Sequence, residues 1–140
     1  MLRKASKLAM KVDRLIDTDF LIDRWCHGET SDASVYARSH MEDSLAIPWI
    51  VKGEFLRFAV IDGQDSPQVL DLLARYPTLW PNEDLLADYA RLNTLLQRRS
   101  LYLRNGHLWI AVSALHLDVP LVTRNTREFG KVPGIKLDPF

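Results

Sequence analysis

The residues able to do chemistry are few and far apart: Asp17, Glu54, His107 and Asn125. Glu54 is the most demanding. At about 100° per residue, Ile50, Val51, Phe58 and Ile61 fall within about 60° of it, so the carboxylate occupies the middle of an apolar helix face. An unpartnered carboxylate there costs several kcal/mol or must take up a proton. An arginine such as Arg57 could relieve that cost; a shared cation is the better explanation, and it gives Glu54 a role in a site. His107 is similarly placed, opening an apolar run and sharing a face with Ile110, Ala111 and Ala114. Asp17 ends the strand-like run "RLID", and Asn125 follows "PLVT". In open α/β sheets ligands bind beyond the carboxyl ends of the strands, so both could face one crevice. Oxygen donors in that position suit a hard divalent cation. Each residue also has a plainer use: Asp17 as an N-cap, and Asn125 with Glu128 as a capping box.

Other candidates are weaker. Asp19 reads as surface or support rather than ligand, and Asp88 as a solvated boundary acid. Thr123 suits strand packing or bracing of a strand end, and Arg104, Arg124 and Arg127 suit surface charge or phosphate binding. No nucleotide-binding glycine loop occurs. The four histidines do not form H-E-x-x-H, one cysteine cannot build a structural zinc centre, and no G-x-S-x-G is present.

The elements that must position these residues alternate. "RLID" predicts a buried strand, followed by helices from Thr18 to about Trp25 and from Ser31 to about Met41. "LAIP" is a second strand, with Pro48 in the first turn of a helix to about Ile61. Pro67 opens another helix, "TLW" is a short strand, and Glu83 to about Arg99 is the longest helix, its stripe being Leu85, Tyr89, Leu92 and Leu96. The His107 helix, "PLVT" and "IKLD" follow. Short apolar strands between helices predict an α/β fold whose short, mostly parallel central sheet is covered by helices on both faces.

With 140 residues, 47% hydrophobic and 26% charged, the chain suits one compact domain. Eighteen basic and eighteen acidic residues cancel, which excludes a polybasic nucleic-acid tail. Cations gather at the two ends and carboxylates between them, a distribution compatible with an acidic cleft rimmed by cations and equally with an ordinary solvated surface. Cys26 is alone, so no intrachain disulfide forms and a reducing cytoplasm is expected. No apolar run approaches the roughly 20 residues that cross a bilayer, and the basic start lacks an apolar signal core. Residues 1–13 are expected to be a dispensable extension, with Met10 an alternative start, and 14–140 the folded domain.

From Arg14 onward the chain resembles the PIN domain, especially the VapC-type toxins of bacterial toxin–antitoxin pairs. The resemblance rests on "LIDTDFLI", on Glu54, and on "HLWIAVSALHLDVPLVTRNTREFGKVPGIKL". It implies a PIN-like fold, an acidic site for Mg²⁺ or Mn²⁺, and metal-dependent endoribonuclease activity. It also implies RNA as substrate, a cognate antitoxin as inhibitor, and a homodimer. Asp17 matches the first acid and Glu54 the second; both would hold the metal. The third acidic position is His107, and the fourth, sometimes Asn in the family, is Asn125. Neutral imidazole can coordinate Mn²⁺ but suits Mg²⁺ poorly and brings no charge. The resemblance therefore leaves two readings: a nuclease, and a non-catalytic module binding an antitoxin or RNA. "IDTD" also resembles the D-x-D of haloacid-dehalogenase-like phosphatases, but Leu21 fills the position where that motif has Thr or Val, and no late acidic pair follows a strand.

Overall fold

The computed structural model describes residues 11–64 and 66–140; the expectation about the first ten residues lies outside them. Strands β1 (Arg14–Ile16), β2 (Leu45–Pro48), β3 (Thr78–Leu79), β4 (Leu121–Val122) and β5 (Leu137–Asp138) form one sheet in the order β3-β2-β1-β4-β5. Every pairing is parallel, with Leu15 opposite Ala46 and Leu121, and Ile47 opposite Thr78. Neighbouring residues of a strand point to opposite faces. Leu15, Ile16, Leu121 and Val122 are all fully buried, so the central strands are covered on both sides. This is why they read as apolar runs rather than as an alternation.

The helices are α1 (Thr18–His27), α2 (Asp32–Ser39), α3 (Trp49–Ile61), α4 (Pro67–Leu73), α5 (Glu83–Arg98), α6 (Asn105–Leu117) and α7 (Thr126–Phe129). Their starts follow local chemistry. Ser31 accepts from the Ser34 amide at the head of α2, Asn82 accepts from Leu85 at the head of α5, and Pro67 opens α4. Pro48 ends β2 and caps α3 instead of sitting in its first turn. Phe20, Phe55 and Phe129 fill the interior. Tyr89 of α5 stacks on Trp109 of α6 with centroids 4.0 Å apart. The edge strand β5 is pinned by Asp138, which accepts from Tyr36 Oη at 2.5 Å and from Arg14 Nη1 at 2.8 Å.

Three expectations need correcting. The buried stripe of α3 is Val51, Phe55 and Ala59, so Glu54 lies at its edge, half-buried, and Ile61 is exposed where the helix runs past the core. Val12 packs against the core, and Asp13 Oδ2 accepts from the Ser44 amide at 2.7 Å, so the ordered fold begins before Arg14. Asp88 is fully buried rather than at a solvated boundary, because α6 covers it. Its carboxylate meets His116 Nδ1 at 2.8 Å and Arg91 Nη1 at 3.1 Å.

That buried α5–α6 contact generates a test. Asp88→Ala leaves the enclosed imidazole without this partner, which costs about 2–3 kcal/mol. Urea unfolding should show that loss; a loss below about 0.5 kcal/mol, the size of an ordinary surface change, would mean the contact contributes little.

Candidate functional site

The chain runs from β1 outward through β2 to β3, then returns to place β4 on the other side of β1. The reversal lies between β1 and β4, and the loops after both strands open at their carboxyl ends, where open sheets of this kind form their crevice. The Asp17 amide donates to Val122 O at 3.0 Å, extending the ladder by one residue. Asp17 and Thr123 are thereby set side by side.

Asp17 is 4% exposed. Its Oδ1 accepts from the Thr18 amide at 2.7 Å, and its Oδ2 from Thr123 Oγ1 at 2.7 Å. The cap reading therefore holds for Oδ1, while Oδ2 is left to face β4. Burial pushes the carboxyl up to about 7; the nearby charge of Asp19 adds to that, the two hydrogen bonds oppose it, and Glu54 contributes a smaller push. Glu54 Oε1 accepts from Thr18 Oγ1 at 2.6 Å, so one residue, Thr18, touches both acids. A Cβ at Gly106 would stand 3.0 Å from Glu54 Oε2, and glycine there lets the start of α6 approach the carboxylate.

His107 lies in the first turn of α6, with its ring 5.0 Å from that of Phe129. Burial and Arg104 hold the imidazole below its usual range, against opposing pulls from Glu54 and Glu128, so it is neutral near pH 7. Arg104 Nη2 lies 3.2 Å from Nε2. A guanidinium only donates, so Nε2 is the acceptor and Nδ1 carries the proton. Nδ1 is buried and has no partner. In this tautomer the lone pair a metal would need is engaged by Arg104. Asn125 heads α7 but its side chain makes no cap, and Glu128 pairs with Lys131 at 2.9 Å instead of reaching back. The capping box is therefore not formed.

The residue that the sequence reading undervalued is Asp19. Its Oδ2 accepts from the Arg124 amide at 2.9 Å and lies 3.4 Å from Thr123 Oγ1. Its Oδ1 is buried without a partner. Burial holds this carboxyl above its usual range despite those hydrogen bonds. The available signal was the D-x-D spacing at a strand end, which puts two acids two residues apart beside the same loop. Asp17, Asp19 and Glu54 are thus linked around Thr18 and Thr123, and the Asn125 backbone amide joins the same Thr123 hydroxyl at 2.9 Å.

Among the described residues no three His, Cys, Asp or Glu side chains form a ready-made cage for a metal ion. The donors nevertheless fit a hard divalent cation: they are carboxylate oxygens, one of them buried and orphaned, with two acids raised by burial. Mg²⁺ in particular is held by one or two carboxylates with water and phosphate oxygens completing its shell, which an open set of this kind permits. Asp17 and Glu54 would hold it.

The raised Asp17 carboxyl fixes a sign. Its value in the fold, about 7, exceeds the ordinary 3.8, so the native state binds this proton more tightly than the unfolded chain does. Stability from this group is full below about 3.8 and is lost as pH rises through about 7. In EDTA, Asp17→Asn should therefore be more stable than the unaltered chain at pH 8, by on the order of 2–4 kcal/mol, and nearly equal to it at pH 4. Thermal unfolding at both values checks this; a variant less stable at pH 8 would contradict it.

No protein-family profile matches the sequence. Ribonuclease VapC1 of Haemophilus influenzae strain R2866 is 29% identical over 97 residues, covering 67% of this chain and 72% of its own; VapC1 of strain KW20 / Rd is 28% identical over the same length. Among solved structures, VapBC-1 from nontypeable Haemophilus influenzae superposes with a TM-score of 0.76 at 22% identity, covering 91% of this chain and 98% of the other. VapBC2 from Rickettsia felis, bound to a promoter DNA fragment, gives 0.75 at 22% identity, covering 92% and 99%. The fold is therefore the PIN-like α/β fold of these neighbours, and in sequence the chain is similar to the VapC1 ribonucleases.

Proposed function

We propose that the chain is a divalent-metal-dependent endoribonuclease of the VapC type, held inactive by a cognate antitoxin protein. The observation that carries this reading is the buried Asp17 carboxylate beside Asp19 at the sheet's reversal point, a concentration of negative charge that a cation would relieve. The sequence relatives carry the name ribonuclease, and the structural neighbours are VapBC complexes, some on DNA. A cytoplasmic homodimer fits the same kinship; among the described residues no helix is long and apolar enough to cross a membrane.

Asp17 and Glu54 bind the cation, Mg²⁺ or Mn²⁺, through hard oxygens. The Thr123 hydroxyl fixes Asp17 Oδ2, and the Thr18 hydroxyl fixes Glu54 Oε1, so neither carboxylate must be ordered when RNA arrives. When bound, the cation activates water and offsets charge at the scissile phosphate. Asn125 presents an amide at the head of α7 without spending it on a cap. Neutral His107 and Arg104 line the α6 side, where the guanidinium can meet a phosphate oxygen.

A second reading, a non-catalytic module that binds RNA or an antitoxin, draws on His107, whose acceptor nitrogen is engaged by Arg104. Cleavage of a single-stranded RNA separates the two. With Mn²⁺ the chain should cut RNA, EDTA should abolish cutting, and Asp17→Asn and Glu54→Gln should each lower the rate by about a hundredfold or more. Restoring an acid with His107→Asp should raise the rate with Mg²⁺ more than with Mn²⁺. Cutting that is indifferent to EDTA and to Asp17→Asn would overturn the proposal; RNA binding without cleavage would favour the second reading. Turnover of a small phosphomonoester, lost in Asp17→Asn, would favour a phosphatase.

A further inference from the structure

Resting on the metal-site reading above, we infer that Asp19 is a cation ligand of this chain, supplying from the first turn of α1 the third carboxylate that α6 lacks because His107 stands there.

The geometry separates the two positions. Asp19 Oδ2 has its partner in the Arg124 amide, while Oδ1 is enclosed and has none. Thr123 has a single hydroxyl proton. It lies 2.7 Å from Asp17 and 3.4 Å from Asp19, and the same oxygen accepts from the Asn125 amide at 2.9 Å. The proton therefore goes to Asp17, and Asp19 draws little from Thr123. Two enclosed carboxylates share one hydroxyl, an arrangement that leaves the second acid under-compensated.

The nearest guanidinium does not fill the gap. Arg124 is drawn outward by Asp32 at 2.7 Å and Asp23 at 3.3 Å, with its guanidinium carbon 4.6 Å from the centre of the Phe140 ring. Its backbone amide serves Asp19 first, and its charge adds only a smaller pull, which leaves the carboxyl above its usual range. Asp17 in turn feels the charge of Asp19 more strongly than that of Glu54. A Cβ on Gly106 would stand 3.0 Å from Glu54 Oε2, so the start of α6 that carries His107 abuts the glutamate side of the cleft. Moving the third negative charge from α6 to α1 keeps three carboxylates, Asp17, Asp19 and Glu54, in the cleft while leaving a neutral ring at the start of α6.

Calorimetric titration of the full chain with MnCl₂ at pH 7.5, without RNA, tests this separately from any nuclease activity. Asp19→Asn keeps an acceptor oxygen for the Arg124 amide and removes the charge, and should weaken Mn²⁺ binding by about tenfold or more. Asp19→Ser, a shorter side chain with no carboxylate, should do the same and serves if the amide variant fails to fold. Asp71→Asn, the same charge change on the exposed face of α4, should stay within about twofold of the unaltered chain. Asp17→Asn should abolish binding. If Asp17→Asn abolishes binding while the Asp19 variants stay within about twofold, the inference about Asp19 falls and the metal-site reading stands. If the unaltered chain binds no Mn²⁺, or Asp17→Asn leaves its binding intact, both fall.

Discussion

A buried and a half-buried carboxylate at the end of β1, with one threonine hydroxyl between them and, among the described residues, no guanidinium in ion-pair contact with either, set the conditions for the rest of the cleft. Asp17 is nearly sealed from water, and Asp19 has a buried oxygen with no hydrogen-bond partner among the described residues. Isolated charge in such surroundings is unstable unless it is protonated or neutralised. The fold provides hydrogen bonds from Thr18, Thr123 and the Arg124 amide, which hold the geometry without neutralising it. A cation from solution would complete it electrostatically.

The sheet makes this arrangement possible. The parallel β1–β4 pairing, extended by the Asp17 amide on Val122 O, puts the loop after β4 alongside the loop after β1. Thr123 reaches Asp17 for that reason. Glu54 comes from α3, and Thr18 of α1 ties it to the same cluster. Gly106 allows α6 to close on Glu54. Phe140 packs on Phe20 with centroids 5.1 Å apart and lies against the Arg124 guanidinium, which pairs with Asp23 and Asp32.

Much of this could be read from the chain. The apolar runs "RLI", "LAIP" and "PLVT" lack alternation because both of their faces are buried, and that property reveals a parallel, helix-covered sheet. Asp17 at a strand end followed directly. The misreadings have physical causes. Asp88 looked solvated because its own helix cannot show that α6 and His116 cover it. Glu54 looked central because Ile61 was counted as buried, although α3 runs beyond the core at that end. Asp19 was discounted because a first-turn helical acid is usually solvated; only the β4 loop folding over it encloses its oxygen. Sequence periodicity reports each helix separately, and these three environments depend on contacts between elements.

The central claim is that the enclosed pair is a cation site. Anomalous scattering from crystals grown with Mn²⁺ tests it directly. The account predicts a single strong peak within about 2–2.6 Å of carboxylate oxygens of Asp17, Asp19 and Glu54. A peak bound elsewhere on the protein, or none at saturating Mn²⁺ with the cleft free of crystal contacts, would contradict it.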